Sequence, residues 1–131
     1  MSKVKRKQFL VAGLGLFGTS VAVTLQGLGY DVYALDSDES IVQDLSMQLP
    51  YVVCGDASDK KTLQSLPLEV VDVAGVAIGN VERNMMATML LKELGIKQVV
   101  SKAINSLHGA MLSKIGADKV IFAERDMGER L

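Results

Sequence analysis

The chain has 131 residues, 49% of them hydrophobic, with 14 basic and 15 acidic side chains and a formal net charge of −1. That size fits one domain with a proper core, and the mixed charges leave no basic block to follow a phosphate backbone, so nucleic acid is not an expected partner. Cys54 is the only cysteine, which excludes a disulfide framework or a thiolate metal cluster within one chain and suits a reducing, cytoplasmic setting.

The basic start, "MSKVKRK", is read as a solvated tail because it is short and a strand follows at once, and not as a signal peptide, because no h-region and cleavage site follow it. Residues 8–13 form a short apolar run ending in glycine, residues 18–29 carry apolar side chains at helical spacing, and residues 31–36 return to strand character. Residues 38–49 read as a helix opened by a capping Asp38 and closed by Pro50. Residues 51–55 follow as a strand and 58–66 as a short helix, and "VVDVAGVAI" (70–78) is the strongest strand signal in the chain. It is broken by Asp72 and far below the ~18 apolar residues of a membrane span. A helix over 81–95 stopped by glycine, a strand over 97–103, a helix over 105–117 and a sixth strand over 118–123 complete the series, and 124–131 begins a further helical pattern.

Strands alternating with helices argue for a parallel sheet covered on both faces. With right-handed crossovers the natural arrangement is a Rossmann-like, doubly wound α/β fold with strand order 3-2-1-4-5-6.

"GLGLFG" over residues 13–18 matches G-x-G-x-x-G between a strand and a helix. The pattern alone is weak, but its place inside a βαβ unit is the right one. Gly13 allows the tight turn, Gly15 lets the backbone approach a pyrophosphate, and Gly18 permits close helix–sheet packing. The N-terminus of the following helix then faces the phosphates with unpaired N–H groups and its positive dipole end. Asp36 ends the second strand 18 residues beyond Gly18. It is placed to accept both ribose hydroxyls and to repel a 2′-phosphate, which disfavours NADP. Asp56 and Ala57, after the third strand, lie where an adenine edge is expected, although a simple Asp-containing turn explains them almost as well. Gly79, Asn80 and Asn84 follow the fourth strand at the topological switch point, and Lys102 ends the fifth strand near the same crevice.

No acid–base set accompanies this cradle. His108, the only histidine, reads as a surface or satisfied side chain. There is no Tyr-x-x-x-Lys, G-x-S-x-G, H-E-x-x-H or Walker loop. Met85, Met86 and Met89 are explained by core or interface packing. A nucleotide cradle without such a set points to a sensor.

The stretches "FLVAGLGLFG", "ALDSD", "VCGDASD", "VAIGN", "LLKELGIKQVVSKA" and "KIGADKVIFAERDMGERL" closely resemble the N-terminal RCK domain of KtrA/TrkA-type subunits of bacterial potassium uptake systems. The likeness runs over essentially the whole chain, and its ending is more specific than the glycine loop. It implies a non-enzymatic regulatory subunit that binds NAD, NADH, ATP or ADP without turnover. It also implies dimers built into an octameric ring beneath a membrane-embedded potassium channel or transporter, so that the domain is cytoplasmic and peripheral to the membrane. A smaller C-terminal domain follows in complete family members, and residues 124–131 resemble the start of their crossover helix. The resemblance places the phosphate loop on Gly13, Leu14, Gly15, Leu16, Phe17 and Gly18, and the ribose acid on Asp36 with Ser37 beside it. The adenine-side pair falls on Asp56 and Ala57, and the second phosphate turn on Gly79 and Asn80. Leu16 stands where several members carry an arginine for the terminal phosphate of ATP, and leucine cannot supply that charge-assisted bond. Glu124 matches an acidic position tied in some relatives to a divalent cation at the subunit interface. The alternative is the cofactor domain of an NAD-dependent oxidoreductase whose catalytic part lies elsewhere.

Overall fold

The computed structural model describes residues 6–122. The helix expected from residue 124 onward, and Glu124 with it, lie outside the described residues. Six strands, β1 (Gln8–Ala12), β2 (Asp31–Asp36), β3 (Tyr51–Cys54), β4 (Val73–Val76), β5 (Gln98–Lys102) and β6 (Lys119–Ile121), form one sheet. Its order is β3-β2-β1-β4-β5-β6, with every pairing parallel. The helices are α1 (Leu16–Gly27), α2 (Glu39–Leu45), α3 (Lys60–Gln64), α4 (Val81–Glu93) and α5 (Ser106–Lys114). This is the expected doubly wound sheet, with its switch point between β1 and β4.

Alternate residues of each strand feed opposite faces, as a period of two requires. Leu10, Ala12 and Leu35 join Leu63, Leu90 and Leu91 in one core. Val11, Val32 and Ala34 join Ala22, Leu45 and Leu49 in the other. Fully burying one leucine is worth about 1.5–3 kcal/mol, against a net ~1 kcal/mol for a hydrogen bond. The two apolar faces, rather than the loop hydrogen bonds, therefore hold the sheet together, and the loops above it are left for binding.

Several elements are shorter than or shifted from the sequence reading, and three of these differences matter for the site. The strand expected over 70–78 keeps only Val73–Val76, preceded by a 3-10 turn at Leu68–Val70. Asp72 is the cause: its carboxylate accepts the Gln8 N–H at 2.8 Å while its own N–H donates to the Gln8 carbonyl at 2.8 Å. The residue that interrupts the apolar run thus clamps the start of β4 to the start of β1. The helix expected over 38–49 is capped by Asp38 as read, which accepts the Ser40 N–H, but it ends at Leu45. The first helix begins earlier than read, at Leu16, because the glycine loop closes within two residues of Gly13.

His108 is not at the surface. It is buried on α5, and its Nδ1 accepts the Ile104 N–H at 3.1 Å. That bond puts the ring proton on Nε2, which has no partner among the described residues. Burial holds the imidazole pKa below its ordinary value. The unfolded chain therefore binds a proton that the folded chain resists, and folding stability is complete above pH ~6.5 and falls as pH drops below it. Melting temperatures between pH 7.5 and 4.5 are expected to fall in the wild type, and to fall less steeply in His108→Gln even though that variant starts lower. Parallel pH profiles would show that His108 does not contribute this dependence.

Candidate functional site

The loop after β1 is shaped by two glycines. Gly13 has φ of 97°, a left-handed backbone that disfavours any side chain, and a Cβ there would lie 2.6 Å from the Ala77 carbonyl oxygen. Its N–H donates to the Leu35 carbonyl at 2.8 Å. A Cβ on Gly18 would collide with the Gly13 carbonyl oxygen, so the first turn of α1 can fold back onto the end of β1 only with glycine there. The Thr19 hydroxyl closes the loop by donating to the Leu14 carbonyl at 2.8 Å. Gly15 has a different place: it caps α1 without a side-chain hydrogen bond, and open space lies where its Cβ would be. A phosphate can approach the helix N-terminus there.

Asp36 ties this loop to β2. One carboxylate oxygen accepts the Leu14 N–H at 2.7 Å and the other accepts the Asp38 N–H at 2.8 Å. Each oxygen has two acceptor sites, so one per oxygen remains for ribose hydroxyls. Asp56 follows β3, the strand paired with β2, and accepts the Ser58 hydroxyl at 2.6 Å and the Ser58 N–H at 2.8 Å. These two bonds, with a smaller contribution from the positive charge of Arg83, hold its pKa below the ordinary carboxylate value. Asp56 thus stays ionised at neutral pH.

These parts meet around a cavity of about 250 Å³ at the carboxyl ends of β1, β2, β3 and β4. Of the residues singled out in the sequence, Gly13, Gly15, Asp36, Ser37, Asp56, Ala57 and Gly79 line it. Others are placed differently. Leu16 points outward, 95% exposed, over a shallow groove between α1 and α2. The Lys102 ammonium sits 5.6 Å from the centroid of the Phe17 ring, and neither residue lines the cavity. Asn80 caps α4 by accepting the Arg83 N–H at 2.9 Å. Asn84 is fully buried, its amide donating to the Ile78 carbonyl at 3.0 Å and the Lys102 carbonyl at 3.3 Å. It fastens the turn after β4 to the end of β5 from inside the protein. Among the described residues, no group of three or more His, Cys, Asp and Glu side chains could hold a metal ion, and no helix is long and apolar enough to cross a membrane.

The sequence profile of the TrkA-N domain matches residues 9–123. The chain belongs to the TrkA-N domain family. It is similar to Ktr system potassium uptake protein C of Bacillus subtilis, 41% identical over 96% of this chain and 58% of that protein. Ktr system potassium uptake protein A of the same organism is 39% identical over 100% of this chain and 60% of that protein. The chain therefore spans about three fifths of these relatives. Among solved structures, the NAD(P)-binding domain of an exopolyphosphatase-related protein from Archaeoglobus fulgidus superposes with a TM-score of 0.84 at 19% identity, covering 95% of this chain and 94% of that one. The GsuK channel bound to NAD gives 0.83 at 17% identity over 98% of this chain and 23% of that one. The Kef C-terminal domain of Shewanella denitrificans, in its AMP-bound form, gives 0.80 at 22% identity over 93% and 75%. At such identities these three likenesses establish the shared Rossmann-like fold.

Within this TrkA-N domain six further cavity residues, Leu35, Ile41, Gly55, Ala77, Ile78 and Arg83, were not singled out in the sequence. Ile41 and Gly55 carry no distinctive pattern. Arg83 does carry one: a cation in the first turn of α4, where the helix dipole favours anions. A residue that breaks a local rule is a place to look for function.

Proposed function

We propose that this TrkA-N domain senses an adenine nucleotide, NAD(H) or ATP/ADP, and reports its presence to a membrane-embedded potassium channel or transporter subunit without turning the nucleotide over. One observation carries the reading. The cavity at the switch point brings together the glycine loop, the α1 N-terminus and the carboxylates of Asp36 and Asp56. Phosphate, ribose and adenine each have a chemically suitable neighbour there. The relatives named as potassium uptake proteins, and the NAD- and AMP-bound neighbours, support the same reading. They weigh against the oxidoreductase alternative. On this view the domain is cytoplasmic and lies at the inner face of the membrane through its partner.

A sensor without chemistry reports through an interface. Met86 and Met89 on α4, with Leu107 and Met111 on α5, present exposed apolar side chains, and neighbouring exposed apolar groups mark interaction surfaces. Methionines repack without strict geometry, so this surface suits a dimer contact, in a ring or otherwise, that shifts between arrangements. A nucleotide biases those arrangements only through a difference in affinity between them. Sedimentation and small-angle scattering, with and without NADH or ADP, are expected to show at least a dimer whose shape or dissociation constant changes on binding. A monomer at high micromolar concentration under every condition would sink the assembly reading.

A further inference from the structure

We infer that Arg83 is the residue that holds the phosphate chain of the bound nucleotide and makes the site favour nucleotides with two or more phosphates. The inference rests on the nucleotide reading above and goes beyond it by naming the cation. Among the described residues that line the cavity, Arg83 is the one cation, and it shares the walls with Asp36 and Asp56. Without it, a polyphosphate entering beside the glycine loop would meet two carboxylates and no opposing side-chain charge. Backbone N–H groups at the α1 N-terminus can receive one phosphate, but each additional phosphate raises the repulsion from the two aspartates. A guanidinium in the cavity wall offsets that charge and presents paired donors matched to phosphate oxygens.

The placement of Arg83 fits this role better than a structural one. It lies in the first turn of α4, where a cation opposes the helix dipole. Its side chain is exposed and makes no close ion pair among the described residues. Its backbone, by contrast, is held, because the Asn80 side chain accepts the Arg83 N–H at 2.9 Å. The start of the arginine side chain is thereby fixed at the rim while the guanidinium keeps its reach. Lys102, the other cation near the crevice, is held over the Phe17 ring and does not line the cavity.

Calorimetric titration of adenosine, AMP, ADP and ATP into wild type, Arg83→Gln and Arg83→Lys tests the idea. Arg83→Gln should weaken ADP and ATP by about tenfold or more, as loss of a charged hydrogen bond implies, with AMP less affected. Adenosine should stay within about twofold, because no phosphate is present to lose a partner. Arg83→Lys should fall between, keeping charge without the paired geometry. Unchanged melting temperatures of the variants without nucleotide would show that the fold is intact. Equal ADP affinity in wild type and Arg83→Gln, or an equal loss for adenosine and ADP, would overturn the inference while leaving the nucleotide site standing. A wild type that binds none of the four, and no NADH either, would overturn both.

Discussion

Gly18→Ala should cost the domain about 3 kcal/mol or more of folding stability, the upper end of what overpacking a close-fitted site causes. The added methyl would strike the Gly13 carbonyl oxygen and come within 3.4 Å of the Ala77 Cβ. The first obstacle is backbone, so it cannot rotate aside as a side chain would. Relief requires moving α1 away from the end of β1, which breaks the Thr19–Leu14 closure and widens the phosphate loop. Urea unfolding with a fixed slope would measure the loss, and nucleotide binding should fall with it. Gly15→Ala is the control within the same loop, since its Cβ would meet nothing within 4 Å. That variant should keep its stability and lose affinity for phosphate-bearing ligands alone. If Gly18→Ala melted within 1 kcal/mol of wild type, about the net worth of a single hydrogen bond, the close approach of α1 to β1 would be less strict than described.

Asp36→Ala is expected to weaken adenine nucleotide binding by roughly 1.5–3 kcal/mol, the range for hydrogen bonds to a charged group. That is about 10- to 150-fold in dissociation constant. The structure adds a second consequence. Asp36 also receives the Leu14 and Asp38 N–H groups at 2.7 and 2.8 Å, so its removal leaves two loop donors to water and loosens the glycine loop even without ligand. Asp36→Asn separates the two effects in part: its amide oxygen can still accept one N–H, but its NH₂ faces the other donor. Calorimetry with NADH and NADPH completes the test. Wild type should prefer NADH, because the Asp36 carboxylate opposes a 2′-phosphate, and Asp36→Ala should narrow that preference. Tighter binding of NADPH than NADH by wild type would remove Asp36 from the ribose position.

The chain's own pattern determined much of this protein. Six apolar runs separated by helical periods could settle only as a parallel sheet with both faces covered, and right-handed crossovers left the observed order as the natural one. Caps such as Asp38 are read from neighbours two residues away, and the glycine loop and Asp36 belong to one βαβ unit of fixed geometry. These features are local, so periodicity and spacing reveal them.

What tertiary structure decided is which neighbouring side chains face the ligand. Arg83 and Asn84 are adjacent on α4, and one residue's turn of about 100° separates them. Arg83 faces the cavity, while Asn84 is buried against the Ile78 and Lys102 carbonyls. Spacing alone cannot assign that phase, because it depends on where α4 starts and how it packs on β5, contacts made by groups distant in sequence. The same reason shortened β4, whose start answers to Gln8 on another strand, and drew His108 inward to the Ile104 N–H. The position of Lys102 over Phe17 arises likewise, from the ends of β5 and α1 meeting across the sheet. Local pattern specified the frame of the site, and long-range packing selected the side chains that line it.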